Sequence, residues 1–177
     1  MSGPERKERR YEWTPLTRER EPMAGLSGVE FFRASMRGEV PMPPISETIG
    51  WTIVGVEKGL IRLRFEPQEY LFHGAGILHG GVLATLLDSA MASAVISTLD
   101  AGRACTTVSM TVSNIRAVRM GDGPLFAVGK VEHAGRRAAT ATGAITDETG
   151  RLYARAMTNC IIFAPEDPPI AARREAQ

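Results

Sequence analysis

Apolar residues recur along the chain at two spacings, and each spacing predicts a different kind of element. Near the N-terminus they fall at helical spacing, at Val29, Phe32 and Met36. Ser27 precedes this run and Glu30 follows it by three residues, which is a capping-box pattern that predicts the start of a helix. Three prolines exclude its continuation: Pro41, Pro43 and Pro44.

Alternation of apolar and polar residues predicts six strands. The first two run from Ile49 to Val56 and from Leu60 to Phe65, around a turn at Gly59, and form a hairpin. Four more alternating runs span 106–115, 125–131, 138–146 and 152–163. In the first of these, Val108 shares a face with Met110 and Val112, while Thr107 lies on the other face. The short connections between the last four runs predict an antiparallel meander.

Between these groups, residues 81–99 predict one long helix that is apolar around most of its circumference, with Gly102 as its C-cap. Such a helix is expected to be enclosed by other elements. The sequence therefore predicts an α+β fold in which an antiparallel sheet of about five to six strands curls around one central helix. The edges or faces of that sheet would be free to pair with a second copy.

Composition describes an ordinary single-domain protein. The chain has 177 residues, of which 44% are hydrophobic, and a net charge of +1. We divide it into a flexible N-terminal extension (1–24), one domain (25–164) and a flexible C-terminal tail (165–177). No basic run indicates nucleic acid, and no signal peptide or membrane-length apolar stretch is visible, so we expect a cytoplasmic protein without a membrane partner. The two cysteines are expected to be core thiols.

Asp88 is the only charge between Gly80 and Leu99. A buried carboxylate without partners costs several kcal/mol, so its presence in this helix needs a reason. Helical spacing places small residues on its face, among them Ser89, Ala92 and Ser97. From spacing alone this face is either turned to water or lines a ligand groove.

The segment His79-Gly80-Gly81 stands at the start of the same helix. Its backbone N–H groups and the helix dipole offer a site for a developing oxyanion, although two glycines also suit a simple tight turn. Gly80 and Asp88 lie roughly 12 Å apart along the helix, so they cannot act on one carbonyl. If they cooperate, they come from different subunits, and the site lies at a dimer interface.

These features resemble a known family. His79-Gly80-Gly81 with an acid nine positions after the histidine resembles the central motif of the PaaI-like branch of hotdog-fold acyl-CoA thioesterases. The runs 107–116, Gly135-Arg136-Arg137 and 147–152 resemble the strand and hairpins that follow it. The similarity covers roughly 31–163.

The resemblance implies a hotdog fold, a homo-oligomer (a dimer or dimer of dimers), and hydrolysis of acyl-CoA without metal or organic cofactor. Asp88 would be the nucleophile or general base, and the N–H of Gly80 would polarise the thioester carbonyl. A hydroxyl at Thr107, or at its neighbour Thr106, would hold the water or the carboxylate. The remaining substrate contacts would come from a short set of residues: His79, Gly81, Ser89, Ala92, Arg136 and Arg137.

One position departs from the pattern. His73 stands where the branch usually has asparagine, six residues before the motif histidine. It could replace the asparagine, alter substrate preference or abolish turnover. This departure favours one alternative to a thioesterase, a non-catalytic acyl-CoA-binding protein. A second alternative also stays open, an acyl-CoA hydratase or dehydratase of the same superfamily.

Overall fold

The computed structural model describes residues 5–15 and 25–163. Within these residues, three α-helices and six strands follow one another. The helices are α1 (Gly28–Met36), α2 (Pro44–Ile49) and α3 (Gly80–Ile96). The strands are β1 (Trp51–Glu57), β2 (Leu60–Phe65), β3 (Ala104–Asn114), β4 (Leu125–Ala134), β5 (Ala138–Asp147) and β6 (Leu152–Phe163). No helix in this described part of the chain is long and apolar enough to cross a membrane.

Helix α1 begins as predicted, and α2 corrects the sequence analysis. The Ser27–Glu30 capping box is formed in both directions. The assignment of Ile49 to the first strand was wrong, because Ile49 ends α2 and β1 starts at Trp51. Proline breaks the interior of a helix but is favoured in its first turn. Pro44 therefore starts a short helix, which the sequence did not predict.

Helix α3 is enclosed as its all-round apolar pattern predicts. Eight of its residues are buried: Val82, Leu83, Leu86, Leu87, Ala90, Met91, Ala94 and Val95. The sheet approaches so closely that a Cβ on Gly129 would lie 2.2 Å from the Ala90 carbonyl oxygen. The predicted end of the helix was wrong. Ser97, not Gly102, is the C-cap, and its hydroxyl accepts a hydrogen bond from the N–H of Gly59 at 2.8 Å.

The six strands form one antiparallel sheet in the order β1-β2-β4-β5-β6-β3. The prediction that the last four strands form a meander was wrong for β3, which pairs with β6 at the edge of the sheet. The segment 115–124 between β3 and β4 is long enough to cross from one side to the other. The curled sheet around one helix is the hotdog fold, as the resemblance implied.

Strand β3 contains a bulge that also corrects the predicted face. Its register with β6 shifts between Thr107 and Ser109. Val108 is 55% exposed, whereas Met110 packs against the core and Thr107 contacts the central helix. The expectation that Val108 and Met110 share a face opposite Thr107 was therefore wrong, because an extra residue in a strand reverses the alternation.

Part of the predicted N-terminal extension, residues 5–15, is described by the structure. The side chain of Lys7 is paired with Glu69, and the Arg9 guanidinium lies 4.0 Å from the ring centroid of Tyr70. The predicted extension thus includes residues 5–15, which have contacts with the domain. Residues 1–4 and 16–24, and all of the predicted C-terminal tail, lie outside the described residues.

Candidate active site

Asp88 and Thr107 form the polar centre of the site. Asp88 is half-buried on α3, and its Oδ1 accepts a hydrogen bond from Thr107 Oγ1 at 2.7 Å. The β3 bulge permits this contact, since it keeps Thr107 on the helix side of the sheet while Met110 also faces inward. Neighbouring residues on a strand face opposite sides, so Thr106 does not share this contact. A carboxylate held by one hydroxyl in a half-buried setting can act as a base or a nucleophile.

The start of α3 leaves one backbone donor open. His79 is the N-cap, and its Nδ1 accepts a hydrogen bond from the N–H of Gly81 at 3.0 Å. The N–H of Gly80 has no hydrogen-bond partner among the residues that the structure describes. Because His79 already accepts from the Gly81 N–H, the donor left free at this helix start, within the described part of the chain, is the N–H of Gly80.

Asn114, which the sequence analysis missed, lies beside this donor. A Cβ placed on Gly80 would be 2.9 Å from Asn114 Nδ2. Asn114 is the last residue of β3 and is exposed. No sequence spacing connects positions 80 and 114. Their contact follows only from how β3 crosses the start of α3, so the carboxamide beside the glycine could be found only in three dimensions.

His73 lies in the loop that precedes α3 and is exposed. Its Nδ1 accepts a hydrogen bond from the N–H of Ala75 at 3.0 Å, and its ring centroid is 6.4 Å from that of His79. Among the described residues, no group of three or more His, Cys, Asp or Glu side chains could hold a metal ion.

The helix face around Asp88 is only partly available to a ligand. Ser89 and Ala92 are half-buried. Ser97, which belongs to the same predicted face, is buried against the β1–β2 turn, where its hydroxyl also donates to the Ala94 carbonyl at 2.7 Å. The small-residue face therefore ends before Ser97.

Two thiols stand behind the carboxylate. Cys160 Sγ lies 3.9 Å from Thr107 Oγ1, and the Cys105 thiol donates to the Ala92 carbonyl at 3.7 Å. A hydrogen bond with Cys160, together with burial, raises the pKa of Cys105. The hydrogen bond with Cys105 lowers the pKa of Cys160 to about 7, with smaller contributions from Thr107 and Thr158, while burial and the Asp88 charge oppose the change.

Arg136 and Arg137 are exposed in the β4–β5 turn, at the end of the sheet where β3 begins. The Arg103 guanidinium joins them, because its Nη2 donates to the Arg136 carbonyl at 2.6 Å. Arg137 comes two residues before Ala139, whose partner Cys160 is paired in turn with Thr107. The three arginines therefore lie near the Asp88 end of β3, not the Gly80 end.

The chain is similar to known proteins over the segment that contains these residues. The profile of the Thioesterase superfamily matches residues 75–154, which include Gly80, Asp88 and Thr107. A Deinococcus radiodurans protein designated an esterase is 36% identical over 119 residues, which cover 65% of this chain and 78% of that protein.

Solved structures share the fold. A protein from Ralstonia eutropha JMP134, designated a thioesterase related to phenylacetic acid degradation, is 28% identical with a TM-score of 0.67, covering 73% of this chain and 98% of the other. PaaI of E. coli is 20% identical with a TM-score of 0.68, and the match covers 77% of this chain and 94% of that one. A thioesterase protein from Streptococcus pneumoniae TIGR4, solved with coenzyme A, is 23% identical with a TM-score of 0.60. The match covers 65% of this chain and 87% of that one.

The fold and these relatives together define a hotdog-fold hydrolase. The chain belongs to the thioesterase superfamily.

Proposed function

We propose that this protein hydrolyses acyl-CoA thioesters to a free acid and coenzyme A. The observation that carries the proposal is the half-buried Asp88 carboxylate, held by the Thr107 hydroxyl at 2.7 Å within the segment matched by the family profile. The CoA part of the proposal draws support from the related fold that was solved with coenzyme A.

Asp88 has two ways to begin the reaction. As a general base it takes a proton from water, whose oxygen attacks the thioester carbon. As a nucleophile its own oxygen attacks, and water then hydrolyses the resulting anhydride. In both routes the carbonyl oxygen becomes an oxyanion, the carbon–sulfur bond breaks, and coenzyme A leaves as a thiolate that is then protonated. Neither route uses a metal or an organic cofactor.

The oxyanion donors are proposed to come from a second subunit. Gly80 and Asp88 are eight residues apart on α3, so about 12 Å of helix separates them. Strand β3 is an edge strand of eleven residues without a charge or proline, and such edges pair readily with another strand. Two copies of β3 pairing antiparallel would bring the partner subunit's Gly80 and the partner's Asn114 towards Asp88 and Thr107.

The other edge of the sheet is less suited to such pairing. Strand β1 contains a register shift between Ile53 and Gly55 and ends at Glu57. The proposed assembly is therefore a dimer through β3, alone or as half of a dimer of dimers, with active sites at the interface.

Coenzyme A carries phosphates, and the arginines at the Asp88 end of β3 are proposed to bind them. Arg103, Arg136 and Arg137 present guanidinium groups, which suit phosphate in geometry and charge. The thiol end of the pantetheine arm would then reach Asp88 along the helix face lined by Ser89 and Ala92. Their small side chains leave room for the substrate.

The test is release of free thiol from a panel of aryl- and alkyl-CoA esters, with wild type and Asp88→Asn measured side by side. We expect turnover by the wild type and a loss of orders of magnitude in kcat for the variant. Circular dichroism controls for folding. Wild type that binds the esters without releasing thiol would show instead an acyl-CoA-binding protein. Hydration of an enoyl-CoA without thiol release would show a hydratase.

A further inference from the structure

Cys160 lies directly behind the Asp88–Thr107 pair, and no step of the proposed reaction uses it. It stands opposite Thr107 in the β3–β6 register, and its side chain is 1% exposed. Its Sγ lies 3.9 Å from Thr107 Oγ1, a hydrogen-bonding distance for sulfur. The Thr107 hydroxyl therefore has two polar neighbours, the Asp88 carboxylate and the buried Cys160 thiol.

Counting protons assigns the direction of each contact. Thr107 has one hydroxyl proton, and an ionised carboxylate can only accept, so this proton is donated to Asp88. While Cys160 is a thiol, the Cys105 thiol proton is directed at the Ala92 carbonyl. Cys105 donates to Cys160 once that sulfur is a thiolate, and this hydrogen bond is what lowers the pKa of Cys160. The Cys160–Thr107 contact must then use the Cys160 proton, with the lone pairs of Thr107 Oγ1 accepting it.

We propose that Cys160 is a positioning residue, which donates its thiol proton to Thr107 and so keeps the Thr107 hydroxyl directed at Asp88. A hydroxyl that accepts on one side and donates on the other loses rotational freedom. Oδ1 of Asp88 then stays occupied, and Oδ2 is left to face water or the thioester carbon. The effect on rate rests on the proposed hydrolysis, whereas the hydrogen-bond chain itself does not.

A double-mutant cycle at pH 6, where Cys160 is a thiol, tests the effect on rate. We expect Cys160→Ala to lower kcat about three- to tenfold with little change in KM, as for a weak hydrogen bond. In a Thr107→Val background the same change should have no further effect, and Cys160→Ser should restore the wild-type rate. Cys105→Ala is the matched control, since it removes a neighbouring thiol that donates to Ala92, and we expect a kcat within about twofold of wild type.

Equal losses for Cys160→Ala in both backgrounds, or an equal loss for Cys105→Ala, would overturn the proposal, since either result describes a packing effect.

A second measurement does not depend on turnover. The chain has two cysteines, so the Cys105→Ala protein has Cys160 as its only thiol, and its Raman S–H stretch reports that group alone. Donation to Thr107 weakens the S–H bond, so adding Thr107→Val should move the band to higher frequency. An unmoved band overturns the proposal. If the band moves but the protein hydrolyses no thioester, the hydrogen bond from Cys160 to Thr107 is supported and the proposed function is rejected.

Discussion

The Thr107 hydroxyl and the Asp88 carboxylate meet between the edge strand and the central helix, with Oγ1 and Oδ1 2.7 Å apart. Removing this donor leaves the carboxylate with one hydrogen bond fewer in a half-buried site. We expect Thr107→Val to lower kcat roughly 10- to 100-fold, the range for a hydrogen bond to a charged group. Steady-state kinetics measure this loss, and Thr107→Ser, which keeps the hydroxyl, should stay near wild type. Equal losses in both variants would contradict the assigned role.

Gly80 and Asp88 occupy one helix but are proposed to serve different active sites, which predicts complementation between inactive subunits. Gly80→Pro removes the N–H at a helix position that accepts proline, and Asp88→Asn removes the carboxylate. Each variant alone should be inactive. Mixing them after denaturation and refolding should restore about a quarter of the wild-type activity, since half of the dimers are mixed and each mixed dimer has one intact site.

Gly80→Ala provides the control for that experiment, because it keeps the N–H. Its added Cβ meets only the terminal Nδ2 of the Asn114 side chain, at 2.9 Å, and that side chain can move. Gly80→Ala keeps the N–H and displaces only the Asn114 carboxamide, so it should lose clearly less activity than Gly80→Pro. A mixture that stays inactive would place both groups of a working site in one subunit.

The arginines in the β4–β5 turn should affect binding more than chemistry. We expect the double change Arg136→Ala and Arg137→Ala to raise KM for acyl-CoA about tenfold, with kcat nearly unchanged and with a weaker dependence of KM on salt. Acyl-pantetheine, which lacks the nucleotide phosphates, is the substrate control and should not distinguish the variant from wild type. Arg151→Ala, at the opposite end of β5 and β6, is the matched protein control.

Local pattern predicted most of the fold because each element has a strong local cause. The all-round apolar run gave the enclosed helix α3, and the Ser27–Glu30 pair gave the start of α1. The position of β3 was missed, because strand pairing between distant segments leaves no periodic signal within either one. The helix α2 was missed because a proline cluster has two opposite local meanings, to end a helix or to begin one.

The residues of the candidate site also differ in whether a local sequence pattern could predict them. Asp88 and Gly80 were found because each violates an expectation of its own segment, a charge in an apolar helix and paired glycines at a helix start. Thr107 followed from the family resemblance, and the structure adds its contact with Asp88. Asn114 and Cys160 were missed, since each matters only through a neighbour on another element.

Asp147 provides a pH-dependent test of the β5–β6 turn. Its carboxylate accepts from the Thr149 hydroxyl at 2.7 Å and from the N–H groups of Thr149 and Arg151, and the Thr149 hydroxyl is the main reason that its pKa is lowered. A pKa depressed by folding stabilises the protein above the unfolded pKa, and this contribution is lost as pH falls through the folded pKa.

Melting temperatures of wild type and Asp147→Asn, compared from neutral to acid pH, measure this contribution. The variant should melt lower by a constant interval above about pH 5, and the interval should shrink as the solution becomes more acidic. An interval that is the same at every pH would show that the charge of Asp147 does not stabilise the turn.

The activity should also depend on pH through Cys160, whose pKa is lowered to about 7, mainly by its hydrogen bond with Cys105. Below that pH the thiol can donate to Thr107. Above it a thiolate would accept the Thr107 proton and compete with Asp88 for it. The titratable groups that act on Cys160 are Cys105 on β3 and Asp88 on α3, and the Asp88 charge opposes formation of the thiolate.

The ratio of kcat for wild type to kcat for Cys160→Ser, whose hydroxyl does not ionise in this range, should fall as pH rises through about 7. A ratio that is flat from pH 6 to about pH 9 would show that the Thr107 proton stays on Asp88 whatever the state of the thiol.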